Sequence, residues 1–257
     1  MDRRTLVRNG AIALWIAVCT MSGLSAAAPP LRGMGAPTRI AAMGAGLMVV
    51  SDFSDGTVHL VRTSDRFVVH SFAIEGRPVG VAWARGRIFV GNEAAGRVEA
   101  YSAAGQLLAA YGERGSVALP NAIVAVEAAD RLFVLDAKDR AVKAYTLDGT
   151  YLGALTAPGV LANPSAMGFD AARQLLLVSD FGAFSSSLFR GAQAYVVALD
   201  LEGNERGRLG VAFSRPQGVA THAGRLFVVD SFLAQVHVLD AQTGAELGVL
   251  GEAGNGP

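Results

Sequence analysis

From Pro37 onward the chain alternates between short apolar runs and brief polar punctuation. One stretch reads Pro78-Val79-Gly80-Val81-Ala82, then Arg87-Ile88-Phe89-Val90-Gly91-Asn92, then Val98-Glu99-Ala100-Tyr101, with Gln106 to Tyr111 closing before Gly112. Runs this short, rich in β-branched and aromatic residues and bounded by Gly, Asp, Asn or Ala, predict strands rather than helices. Runs such as Leu175-Leu176-Leu177-Val178 are apolar without alternation. Such strands must be covered on both faces.

The pattern recurs. Pro37, Pro78, Pro120, Pro164 and Pro216 each open a similar passage, at spacings of 41, 42, 44 and 52 residues. The last passage runs Pro216-Gln217-Gly218-Val219-Ala220, Arg225 to Asp230, Val236 to Asp240, and Glu246 to Leu250. Four strands in some 40 residues is the unit of a propeller blade, because one blade cannot cover both its faces and stacks on its neighbours. The predicted fold class is all-β, a β-propeller of four-stranded blades, with five blades in this chain.

In each passage strand two ends in a polar residue: Asp52, Asn92, Asp136, Asp180 or Asp230. Six residues later a valine opens strand three, at Val58, Val98, Val142 and Val236. Together with Pro-x-Gly-Val-Ala at 78–82 and 216–220, these features resemble the NHL repeat over residues 37–251. The resemblance implies an NHL-type propeller, commonly of six blades. Gly251-Glu252-Ala253-Gly254 is similar to the linker Gly112-Glu113-Arg114-Gly115 that leads into another blade. The expectation is therefore a short linker at 28–36, a propeller over 37–251, and at 252–257 a linker towards a missing sixth blade. Closure by five blades is the alternative.

The fourth passage departs from the rhythm. Asp180 lies 16 residues before the matching Val196, and the ten extra residues account for the 52-residue spacing. The insertion carries Phe181, Phe184, Phe189 and Arg190 between strands two and three. Insertions in repeat proteins map to one face, often the binding face. An exposed aromatic loop either packs on a partner or folds back as a plug.

Residues 1–27 read as an export signal. Arg3, Arg4 and Arg8 form the basic start, Ala11 to Val18 the apolar stretch, and Ser25-Ala26-Ala27 the small-residue exit. That apolar stretch is too short to span a bilayer, which takes roughly 20 residues. Arg3-Arg4-Thr5-Leu6-Val7-Arg8 is similar to the twin-arginine motif, and the general secretory route is the alternative. Cys19, the single cysteine, is a poorly matched lipidation site behind Val18. The expected location is periplasmic or extracellular.

The whole chain has 22 basic and 22 acidic residues. Removing the signal leaves 19 and 21, a net of −2. That balance excludes a nucleic-acid binder working through bulk positive charge. The hydrophobic fraction of 51% excludes a disordered chain.

Candidate chemistry is sparse. His59, His70, His222 and His237 fall in different blades or strands, so they do not converge as metal ligands. His59 and His237 share one blade position and read as structural. Asp52, Asp136, Asp180 and Asp230, like Asp170 at a strand-one turn, read as acceptors for turn N–H groups. No nucleophile elbow, phosphate loop or redox cysteine pair appears.

The function expected is an exported, non-catalytic binding or scaffold propeller without cofactor. It engages a protein or small ligand through a rim carrying Phe53, Asn92, Phe181, Phe184, Phe189, Arg190 and Phe232. Arg77 and Arg215, each preceding a blade-opening proline, join that set, although they can equally bond neighbouring loops. The rival is a metal-dependent propeller enzyme, lactonase-like or amidating-lyase-like.

Overall fold

The computed structural model describes residues 34–182 and 194–252. They form five four-stranded antiparallel sheets, each meandering in chain order. The first holds β1 to β4 (Pro37–Gly44, Leu47–Asp52, Thr57–Arg62, Phe67–Ala73) and the second β5 to β8 (Pro78–Ala84, Arg87–Asn92, Arg97–Tyr101, Leu107–Tyr111). The third holds β9 to β12 (Pro120–Val126, Arg131–Asp136, Ala141–Tyr145, Tyr151–Ala154) and the fourth β13 to β16 (Pro164–Asp170, Leu175–Asp180, Ala194–Leu199, Glu205–Phe213). The fifth holds β17 to β20 (Pro216–His222, Arg225–Asp230, Gln235–Asp240, Glu246–Leu250). The only helical element among the described residues is a 3-10 turn at Glu127–Ala129. The export signal, Phe184, Phe189 and Arg190 lie outside the described residues.

The chain divides into two compact units, Met1–Asp139 with Lys143–Gly153, and Arg140–Val142 with Ala154–Pro257. In the first, side chains of the middle strands explain the unbroken apolar runs. Ile88 and Val90 of β6 pack with Val49, Val58 and Leu60 of the first sheet. Phe89, between them and on the opposite face, packs with Ile123, Leu132 and Val134 of the third. In the second unit Leu177, Val196 and Phe213 meet Val219, Leu226 and Val228 in the same way. A strand sandwiched between two neighbours has no face left for water.

Each sheet also breaks register beside its opening proline, for example between Pro37 and Arg39, Pro78 and Val81, and Pro216 and Gly218. Proline has no N–H to give the ladder, so a bulge at the strand's first residue accommodates it.

The hairpin of β17 and β18 turns through Ala223 and Gly224, at φ +49° and +74°. Two positive φ values in a two-residue loop mark a turn that matches the strand twist but strains any residue with a Cβ, asparagine least. Ala223→Asn is expected to raise the stability by about 0.5–1 kcal/mol. Chemical unfolding would check it; an unchanged or lower midpoint would show that the turn is unstrained.

Candidate functional site

The polar residue ending strand two is fully buried in every sheet. Its role follows from what is packed around it. Asp136 accepts from the backbone N–H groups of Ala118 and Leu119 at 2.7 and 3.0 Å, just ahead of its own sheet, and of Lys138 and Asp139 in the turn that follows. Asp180 does the same with Ala162, Asn163 and Gly182, at 2.8, 2.9 and 2.7 Å. Asp52 accepts from Gly35, Ala36 and Ser54, and Asp230 from Arg215, Phe232 and Leu233. A buried carboxylate is tolerated because several N–H donors replace its water.

The sequence predicts the bonds to the following turn. It does not reveal those to the segment entering the sheet, because 15 to 18 residues separate the partners. Beside each of these bonds runs a second one. The N–H of Phe53, Glu93, Ala137, Phe181 and Ser231 donates to the carbonyl of Ala36, Arg77, Leu119, Asn163 and Arg215 respectively.

Asn92 occupies the aspartate position of the second sheet, and its amide is wholly engaged. Its Oδ1 accepts from the Ala95 N–H, while Nδ2 donates to the Glu75 carbonyl and to Glu99 at 3.0 and 2.9 Å. Glu99 also accepts from the Tyr101 hydroxyl at 2.7 Å and from Arg97. The third residue of strand three thus complements the end of strand two. Lys143 reaches Asp136 at 2.8 Å, and the His59 Nε2 lies 3.8 Å from Asp52. Where an amide replaces the aspartate, an acid replaces the base.

These contacts set the titrations. Burial would raise the Glu99 and Asp136 carboxyls, but bonds from Asn92, Tyr101 and Arg97 in one case, and from Lys143 and backbone N–H groups in the other, outweigh it and hold both low. Desolvation holds His59 below its usual 6.5, against the pull of Asp52. On acidification the unfolded chain takes up all three protons before the folded one does. Stability is therefore expected to fall from about pH 6.5 downward, and more steeply below about pH 4.5. Calorimetric melting from pH 7.5 to 3 would check this; a melting temperature that rises on acidification would contradict it.

On the rim the residues come together in pairs. The Arg77 guanidinium stacks over the Phe53 ring at 5.3 Å and pairs with Glu93 at 3.0 Å. Arg215 stacks over Phe181 at 5.9 Å. Each pair joins the residue after one sheet's strand-two end to the residue before the next sheet's proline. Phe232 projects into solvent and is 72% exposed. The structure thus sets Phe53 beside Arg77 and Phe181 beside Arg215, leaves Phe232 bare, and encloses Asn92 within its sheet.

His59 and His237 are buried, with Nδ1 at 2.8 Å from the Ser71 hydroxyl and 2.7 Å from Glu246. Among the described residues no three His, Cys, Asp or Glu side chains converge as a metal would require. At the opposite end of the fourth sheet a shallow groove of about 470 Å³ is lined by Arg173, Leu175, Asp200 and Arg206. Both of its arginines are paired: Arg206 with Asp200 at 2.6 Å, and Arg173 with Asp170 at 2.7 Å. Five donors to Asp200 hold its pKa at about 2 against the opposing effect of burial.

No protein family and no characterised sequence matches the chain. Solved structures do. The chain superposes on a chain of the nidogen/laminin complex with a TM-score of 0.71 at 18% identity, covering 86% of this chain and 82% of that one. The chain is a β-propeller. It also superposes on a catalytically inactive variant of virginiamycin B lyase from Staphylococcus aureus, crystallised with quinupristin, at a TM-score of 0.63 and 11% identity, covering 82% and 69%. The selenomethionine form of that lyase gives 0.62, again at 11% identity, covering 83% and 69%. Identities this low carry the fold alone. No described helix is long and apolar enough to cross a membrane.

Proposed function

We propose that this propeller is an exported, NHL-type binding or scaffold module that engages its partner through the rim where strands two and three meet. The observation that carries the reading is the division of labour at that rim. The carboxylates ending strand two are occupied by backbone donors, so they hold the fold. The side chains left at the strand-two ends are the Arg77–Phe53 pair in one unit, and the Arg215–Phe181 pair with the exposed Phe232 in the other. Aromatic and arginine side chains dominate the energetics of binding surfaces. The ten-residue insertion of the sequence follows Phe181, between strands two and three of the fourth sheet.

A protein of the nidogen/laminin complex has this fold, which makes a protein partner the reading of choice. Virginiamycin B lyase has it too, and a metal-dependent lyase or hydrolase is the competing reading. Deleting residues 183–192 and comparing partner capture tests the first. Capture is expected to fall at least tenfold, and unchanged capture would remove the loop from the site. Elemental analysis of the purified protein tests the second: stoichiometric calcium, magnesium or zinc would overturn the non-catalytic reading. Amino-terminal sequencing of exported material is expected to begin at Ala28.

A further inference from the structure

The repeat supplies its own control for one residue. Arg77 and Arg215 hold the same place, immediately before a sheet's opening proline, and each stacks on a phenylalanine of the preceding sheet. Both carbonyls accept from the residue that follows the strand-two end. Their surroundings differ at that residue. In the second sheet it is Glu93, which pairs with Arg77 at 3.0 Å. In the fifth it is Ser231, whose N–H and hydroxyl both go to the Arg215 carbonyl, at 3.0 and 3.2 Å. The exposed Arg215 guanidinium makes no ion pair among the described residues. The next residue along is Phe232, the barest large apolar side chain described.

Resting on the rim-binding reading, we propose that Arg215, Phe181 and Phe232 form the recognition site for an acidic peptide segment that carries a large apolar or aromatic residue. The contact with the Phe181 ring, 5.9 Å from the guanidinium carbon to the ring centroid, holds the charge beside an aromatic face and leaves N–H groups for a carboxylate. A bidentate carboxylate is the partner that geometry suits. Phe232, 72% exposed, offers bare aromatic surface that an apolar side chain next to that carboxylate would cover. At the second sheet Glu93 already fills the equivalent place, so that position recognises no carboxylate.

The test measures fluorescence polarisation of a labelled Asp-Trp-Asp-Trp-Asp peptide with the full chain, against Lys-Trp-Lys-Trp-Lys as the charge-reversed control. Only the acidic peptide is expected to bind. Arg215→Glu is expected to weaken it at least tenfold. Ser231→Glu, which supplies Arg215 with the counter-ion that Arg77 has, should do nearly as much, and Phe232→Ser about fivefold. Arg62→Ala, at an exposed hairpin outside the rim and paired with Asp65, should leave it unchanged. The first three changes lie at the rim, and melting curves confirm which variants fold.

Equal binding of the two peptides, no binding of the acidic one, or unchanged binding in the folded variants would overturn the proposal. If these failures come with partner capture that still depends on residues 183–192, the wider rim-binding reading stands and only the acidic specificity falls.

Discussion

Replacing Asn92 with aspartate is expected to cost about 3–5 kcal/mol, read as a large fall in the urea midpoint. The side chain is fully enclosed, and its Nδ2 donates to both the Glu75 carbonyl and Glu99. An acid of the same shape removes both donors and sets a second carboxylate beside the first. Like charges this close cannot both stay ionised, so one must take a proton or the sheet must open. The four other sheets carry aspartate at this position without penalty, which makes the result specific to its neighbour. Adding Glu99→Lys to Asn92→Asp recreates the polarity of Asp136 and Lys143. It is expected to recover about 1–3 kcal/mol, less than the full loss, because Tyr101 and Arg97 lose their acceptor. A cost under 1 kcal/mol for Asn92→Asp alone would show that the pairing of strand-two end and strand-three residue is incidental.

Gly91→Ala is expected to destabilise by about 2–3 kcal/mol. A Cβ at residue 91 would meet the Pro120 carbonyl oxygen within van der Waals contact and the Pro120 Cβ at 2.8 Å. The obstacle is the backbone of the next sheet, which cannot rotate away as a side chain could. Neither does the position need a left-handed conformation, so the glycine serves the approach of two sheets. Gly248→Ala, on an outer strand with open space around it, provides the contrast and is expected to change stability by less than 0.5 kcal/mol. Equal effects at the two positions would mean that loss of chain freedom, rather than inter-sheet contact, governs both.

Much of this fold is legible in the sequence because its cause is local and repeated. The opening prolines, the polar residue closing strand two and the valine six positions later are set by one sheet's own geometry, and five copies in register make the period plain. The double covering of the strands is also legible, since Leu176, Leu177 and Val178 leave no polar face. What escapes is whatever depends on residues distant in the chain. That Asp180 would hold Ala162 as well as Gly182, or that Arg215 would settle on Phe181, requires two loops to arrive at one place. Asn92 shows the limit most clearly. Along the chain it resembles a rim ligand; in space Glu99 and Glu75 consume it.

The carboxylate closing strand two has a mechanical consequence for loop length. In the fourth sheet Asp180 binds Ala162, Asn163 and Gly182 just as its counterparts do, even though ten additional residues follow before strand three resumes. The anchor therefore ties the chain to β14 as far as Gly182, the point at which the extra residues begin. A protein built this way can change the chemistry of one loop while its sheets remain untouched, and the equivalent positions after Asp52, Asp136 and Asp230 are ready-made points for grafting.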